Sequence, residues 1–270
     1  NKNKASPSLF LTGSLLFLFT SAAAFNYFQF IYSERILTFL LALYIYNYCI
    51  YQRSGQQRNG LLALLFALFI PFFKDTAILL AVVPAASTIL LGSLGRMQNY
   101  PRWGSLNLSA WLKAYALEIS LCSLTLFFLA CFVMLSALPS LAAGVERYDA
   151  HLGFSVFALD IRLMFFIGFI ATRLWLIQRN RTEATTLDVL NVAALAYGFA
   201  LYALVGLEGS NYMTLPIQFV AVLDILLIWE ALAAPTLNQR FNQRQAQAVA
   251  LGATLLLLTI EDRQAKTFRE

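Results

Sequence analysis

Residues Leu61–Leu94 read LLALLFALFIPFFKDTAILLAVVPAASTILLGSL, and in these 34 positions Lys74 and Asp75 are the only charged side chains. A helix needs about 20 apolar residues to cross the hydrocarbon core of a bilayer. The stretch is therefore too long for one ordinary span, and it carries an acid–base doublet near its middle. A charged group at the bilayer centre costs at least about 3 kcal/mol. The lower-energy arrangement is two helices, with the doublet at the turn between them, facing water or a site. Where that turn lies sets the topology of the chain.

The whole sequence supports a membrane setting. Of 270 residues, 60% are hydrophobic and only 12% charged, and the mean hydropathy is +0.68. A soluble domain carries about 25% charged residues. The expected fold is an all-α, polytopic transmembrane helical bundle. The net charge of +5 comes from basic residues scattered between apolar segments. That pattern points to positive-inside loop bias rather than to nucleic acid. Cys49, Cys122 and Cys131 all fall inside apolar segments, which predicts buried thiols rather than a disulfide framework. No cleavable signal pattern is visible. The first residue is Asn, so the start is expected to be trimmed, processed or incomplete.

Nine spans are expected, at 7–24, 36–52, 61–73, 76–95, 114–136, 157–178, 188–207, 215–234 and 246–260. Fusing the third and fourth would leave eight. Charge bias separates the two counts. With nine spans and a cytoplasmic N-terminus, twelve of the nineteen basic residues lie inside, including Arg53, Arg58, Arg96, Arg102, Lys113, Arg173, Arg179 and Arg181. Fusion would place Arg53 and Arg58 opposite Arg96, Arg102 and Lys113. The expected topology is therefore nine spans, N-terminus cytoplasmic and C-terminus outside. Residues 1–260 form the transmembrane domain, and the polar tail 261–270 reads as the start of an external domain. Tyr44, Tyr46, Tyr48, Tyr51, Trp103 and Trp111 read as interface anchors on the inner side.

The outer face then gathers unusual charge. Glu34-Arg35, Lys74-Asp75, the Glu146-Arg147-Tyr148-Asp149 run and Asp160-Ile161-Arg162 each set a base within two positions of an acid. Glu208 and the single histidine, His151, fall on the same side. Such pairs can simply neutralise one another at helix ends. They can also line a shared cavity for an anionic ligand. There Arg35, Lys74, Arg147 and Arg162 would hold phosphate, and carboxylates would orient them or bind hydroxyls or a divalent metal ion.

Glu118, Asp224 and Glu230 differ, because they sit inside or at the ends of predicted spans. An intramembrane carboxylate is a functional candidate, although it also serves as packing glue. Asp224 could bond Gln218 or Asn191, and Glu230 could pair with Arg173 or Arg179. The sequence has no Gly-rich phosphate loop, His-Glu-x-x-His, Cys-x-x-Cys or Ser–His–Asp signature. One histidine is too few for the common multi-histidine haem and zinc sites. The sequons at Asn107 and Asn180 fall on the cytoplasmic side under this topology.

Three segments carry a family resemblance: FIYSERILTFLL at 30–41, YQRSGQQR at 51–58 and FFKDTAILL at 72–80. Together with NYMTLP at 211–216, they resemble the polyprenyl-phosphate-sugar-dependent mannosyl- and arabinosyltransferases of the GT-C class. The resemblance covers residues 25–95 and 205–270. It implies a bacterial inner-membrane enzyme that takes a lipid-linked sugar from the outer leaflet and inverts the anomeric carbon. It also implies phosphate contacts at Arg35, Lys74, Arg147 and Arg162 and a contact from Tyr212. A carboxylate would act as general base, and Glu34, Asp75 and Asp149 are the outer candidates. The family usually carries a paired acid in its first outer loop, whereas this chain has only Glu34 there. Two other classes fit the composition. One is a non-catalytic membrane subunit or scaffold, with the doublets as contacts to membrane-protein partners. The other is a lipid or polysaccharide transporter or polymerase.

Overall fold

The computed structural model describes residues 7–18, 33–97, 99–104, 107–143, 161–205 and 214–229, with isolated positions at 245, 248, 249 and 252. They fall into two compact units, Asn1–Arg35 with Asn211–Glu270, and Ile36–Ser210. Among the described residues every regular element is helical. The one strand-like feature among them is a parallel bridge between Met97 and Ala184.

The first unit contains α1 (Pro7–Leu18) and α10 (Leu215–Ile228). These two helices pack together through Phe17 and Phe219, whose rings meet edge to face at 5.7 Å. Leu215 is fully buried against Phe17. Gly13 permits the approach, since a Cβ there would fall 2.6 Å from Leu226 Cδ1. Asp224 is buried on α10, as its place in the middle of an apolar segment suggests.

The second unit holds most of α2 (Glu34–Ser54), then α3 (Gln57–Phe73) and a 3-10 turn over Asp75–Ile78. It continues through α4 (Leu79–Ser93), α5 (Leu108–Ala114) and α6 (Ala116–Phe132). A π-helical turn at Val133–Ala137 joins α6 to the short α7 (Leu138–Ala142). The last helices are α8 (Ile161–Gln178) and α9 (Thr186–Val205). Within this unit α4 packs against both α6 and α9, and α8 packs against α9.

The stretch 61–94 is indeed two helices. α3 stops at Phe73, and Lys74 adopts an extended conformation (φ −160°, ψ 121°) before the 3-10 turn begins. Pro71 lies one turn before that stop. Its ring removes one intrahelical hydrogen bond and crowds the preceding turn. The Asp75 carboxylate then accepts from the Thr76 N–H at 2.7 Å, fixing the start of the new turn. The expected segments 36–52, 61–73, 76–95, 114–136, 157–178, 188–207 and 215–234 each overlap an observed helix. The expected first span, 7–24, is described as helix to Leu18. The expected ninth span, 246–260, has only isolated described positions, and the tail 261–270 lies outside the described residues.

Among the described residues two continuous helical stretches are long and apolar enough to cross a membrane: Asp75–Ser93, with 19 residues, and Ala116–Ser140, with 25. The second runs through the π turn. Pro139 cannot donate a backbone hydrogen bond, and its ring would clash with the carbonyl four residues earlier. Widening the helix just before it accommodates both problems. Gln57–Phe73, Leu163–Gln178, Thr186–Leu201 and Leu215–Ile228 are apolar but shorter.

Close packing at the end of α4 depends on Gly92. A Cβ there would lie 2.4 Å from Tyr115 Oη and 2.8 Å from Tyr100 Cβ. Tyr100 and Tyr115 are stacked, with centroids 5.0 Å apart, so neither ring can yield alone. Gly92→Ala should therefore destabilise the protein by about 1–3 kcal/mol, the range for overpacked cores. Thermal unfolding of detergent-solubilised protein checks this, and an unchanged midpoint would contradict the packing described.

Candidate functional site

Two places in the second unit combine polar chemistry with shape. The first is the Lys74–Asp75 turn. An apolar groove of about 360 Å³ runs beside it, lined by Ala67, Leu68, Pro71 and Phe72 of α3 and by Leu124, Phe128 and Phe132 of α6, among others. Phe72 and Phe128 meet edge to face at 6.0 Å. Ile78 and Ala81 add to the lining. Residues just before and just after the doublet thus border the groove, while Lys74 and Asp75 are themselves half-buried.

The second is a buried carboxylate. Glu118, in the first turn of α6, is fully buried. The Tyr48 hydroxyl donates to Glu118 Oε1 at 3.2 Å and lies 3.0 Å from the Thr88 hydroxyl, which can donate to it in turn. Tyr100 donates to the same Oε1. Glu118 therefore ties α2, α4 and the loop after α4 to α6. Gln52 also lies against this carboxylate. Its Oε1 accepts from Thr186 Oγ1 of α9. Gln52 Nε2 and Glu118 Oε2 are both buried without a well-formed hydrogen bond. Tyr44 stacks on Tyr48 at 5.6 Å and donates to the Ala81 carbonyl at 3.3 Å.

This cluster corrects the reading of the α2 tyrosines as interface anchors. Tyr44 and Tyr48 are fully buried and Tyr51 is half-buried, whereas Tyr46 is exposed. Spacing of four residues puts Tyr44 and Tyr48 on one helical face, whereas Tyr46 points elsewhere. That periodicity was available in the sequence. The destination of the face was not, because Glu118 lies 70 residues from Tyr48.

Arg173, offered as a partner for Glu230, instead grips Asp188. Its Nε lies 2.6 Å from Oδ1 and its Nη2 lies 2.8 Å from Oδ2. Asp188 Oδ2 also accepts from the Thr185 N–H at 2.7 Å, capping α9. Glu230 lies outside the described residues.

The other expected site residues divide as follows. Glu34 is buried and Arg35 half-buried at the start of α2, where they group with the first unit; Lys74 and Asp75 belong to the second. Arg162 lies in the first turn of α8. Arg147, Asp149 and Tyr212 lie outside the described residues, as do His151, Asp160 and Glu208. Among the described residues no three His, Cys, Asp or Glu side chains gather to hold a metal ion.

The charge states around Glu118 have a measurable consequence through Tyr100, in the loop after α4. Burial, reinforced by the nearby Glu118 charge, holds the Tyr100 phenol well above the ordinary tyrosine range. The folded state keeps a proton that the unfolded chain releases near pH ~10. The stabilisation is therefore complete below that pH and falls as pH rises beyond it. Tyr100→Phe should flatten that alkaline decline in a pH series of unfolding midpoints. Glu118→Leu should cost about 2–3 kcal/mol by stranding the two tyrosine hydroxyls, whereas Glu118→Gln, which preserves an acceptor, should cost less. Equal losses for both would rule out the hydrogen-bonding role.

The sequence matches no protein-family model, and neither curated proteins nor solved structures give a significant match.

Proposed function

We propose that this chain is a polytopic membrane glycosyltransferase that moves a sugar from a polyprenyl-phosphate donor to an acceptor at the outer face of a bacterial inner membrane. The proposed topology has nine spans, with the N-terminus cytoplasmic and the C-terminus outside. The supporting observation is the apolar groove bordered by Pro71, Phe72 and Ile78, the residues that flank Lys74 and Asp75. Such a groove suits an isoprenoid tail, and a lysine in the turn between Phe72 and Ile78 suits the phosphate that ends the tail.

On this reading Lys74 holds the donor phosphate and stabilises the charge that develops as the glycosidic bond breaks. A carboxylate takes the proton from the acceptor hydroxyl as that oxygen attacks the anomeric carbon from the opposite side. The sugar is inverted and the lipid phosphate leaves. Asp75 already accepts from the Thr76 N–H, which favours a positioning role for it. Glu34 and Asp149 then remain the candidate bases. Arg35, Arg147, Arg162 and Tyr212 are proposed as further donor contacts.

One observation favours a second reading, a membrane subunit of a larger assembly. Only 6% of the most apolar window of Ala116–Ser140 is buried. Leu126, Phe127 and Leu135 stand exposed there, forming a face that lipid or partner helices would cover.

The test is sugar transfer by the full-length protein from a polyprenyl-phosphate-sugar donor. Losing one charge-assisted contact is worth about 1.5–3 kcal/mol, so Lys74→Ala should lower transfer by roughly 10- to 100-fold. Ala67→Trp, which puts bulk into the groove, should raise KM for the long-chain donor more than for a short-chain analogue. Full activity in both variants would remove the groove from the mechanism and leave the subunit reading ahead.

A further inference from the structure

A different region of the second unit brings two helix ends together beside a polar cleft. α4 and α8 end in the same way. After α4, Gly95 (φ +69°) closes a turn in which its N–H donates to Gly92 O and the Arg96 N–H donates to Leu91 O. After α8, Asn180 (φ +53°) does the same, with its N–H to Ile177 O and the Arg181 N–H to Leu176 O. Each is a left-handed helix cap that satisfies terminal carbonyls. The two capped ends are fastened together. The Ala184 N–H donates to Arg96 O at 2.8 Å, and Met97, Ile177 and Ala184 form a small buried core beneath them.

Between these fastened ends lies a polar cleft of about 660 Å³, lined by Arg96, Arg173, Asn180, Arg181, Thr182 and Thr185 together with Gly95, Glu183 and Ala184. Its charge is unevenly matched. The bidentate Asp188 contact neutralises Arg173. Arg96 binds neutral oxygens, donating to Ile177 O at 3.4 Å and to Asn180 Oδ1. Because Asn180 Oδ1 is taken, its amide nitrogen is left to act as a donor. Arg181 stands over Trp175 at 5.7 Å, and Arg179 lies over the same indole at 4.6 Å. Two guanidiniums are thus held around one ring beside the cleft. Glu183 is the single carboxylate in the lining. The ends of α4 and α8 each add about half a negative charge, and the start of α9 about half a positive one. The balance stays positive.

The geometry points to a phosphate-binding site in this cleft, with Arg96 and Arg181 as its cations and Asn180 and Thr182 as neutral donors. Guanidinium groups suit phosphate because they present paired N–H donors in one plane. Trp175, which carries the Arg179 and Arg181 guanidiniums, is itself about half exposed. An anionic lipid headgroup and a soluble phosphate ester would both satisfy this chemistry.

The experiment separates those sources. Full-length protein is titrated with inorganic phosphate in detergent. In parallel it is placed in nanodiscs of phosphatidylcholine, with or without about 20% phosphatidylglycerol, and thermal midpoints are measured. A rise with phosphate assigns a soluble ligand, and a rise with phosphatidylglycerol alone assigns a headgroup; either supports the site. Arg181 is exposed, so Arg181→Gln should fold normally and weaken the response about tenfold, as expected for one charge-assisted contact. Arg96→Lys keeps the charge but loses the planar fork, and should also weaken it. The proposal is overturned if neither anion raises the midpoint, or if both variants respond like the parent protein.

Discussion

Burial of a single carboxylate organises the polar end of the larger unit. Glu118 has no cation in its hydrogen-bonded set, so its stabilisation comes from neutral donors brought in from elsewhere in the chain. Tyr48 arrives on α2 and Tyr100 on the loop after α4, while Thr88 on α4 supports Tyr48. A carboxyl group away from water is tolerated only when such partners are in place. The positions of α2, α4 and α6 are thereby coupled. The stacking of Tyr100 on Tyr115, and the space Gly92 leaves for both, serve the same arrangement.

The two ends of α4 are built by different physics. At its start, Pro71 and the Lys74–Asp75 doublet interrupt an apolar run, and a 3-10 turn held by Asp75 re-enters the helix. At its end, Gly95 reverses the backbone and the chain leads into an arginine-rich junction with α8. One end therefore borders an apolar groove and the other a cationic cleft. The proposed donor site and the proposed phosphate site use these contrasting surroundings.

Legibility in the sequence followed the range of the forces involved. The break at Lys74 was readable because two charges in an apolar run impose a local penalty that no distant contact is needed to see. Six further helices were readable from the lengths of their apolar segments. The Glu118 cluster was not, because its donors come from positions 18 and 70 residues away. A tyrosine that anchors at an interface and one that solvates a buried acid have the same local signature. Likewise Arg173 offers a cation to any nearby acid, and only the fold shows that the grip falls on Asp188, which also caps α9. Convergence of the outer doublets was a question of distance between segments, and sequence spacing carries no such information.

The stretch Ala116–Ser140 has a geometric consequence in the proposed membrane setting. Its 25 residues extend about 37 Å at 1.5 Å per residue, against a hydrocarbon core of about 30 Å. A helix of that length cannot stand upright without pushing apolar side chains into the headgroups. It must lean by roughly 35°, bend at its π turn, or draw thicker lipid around itself. Because α4 packs against α6, a lean in one is transmitted to the other. Bilayer thickness then becomes a mechanical input to the groove between α3 and α6.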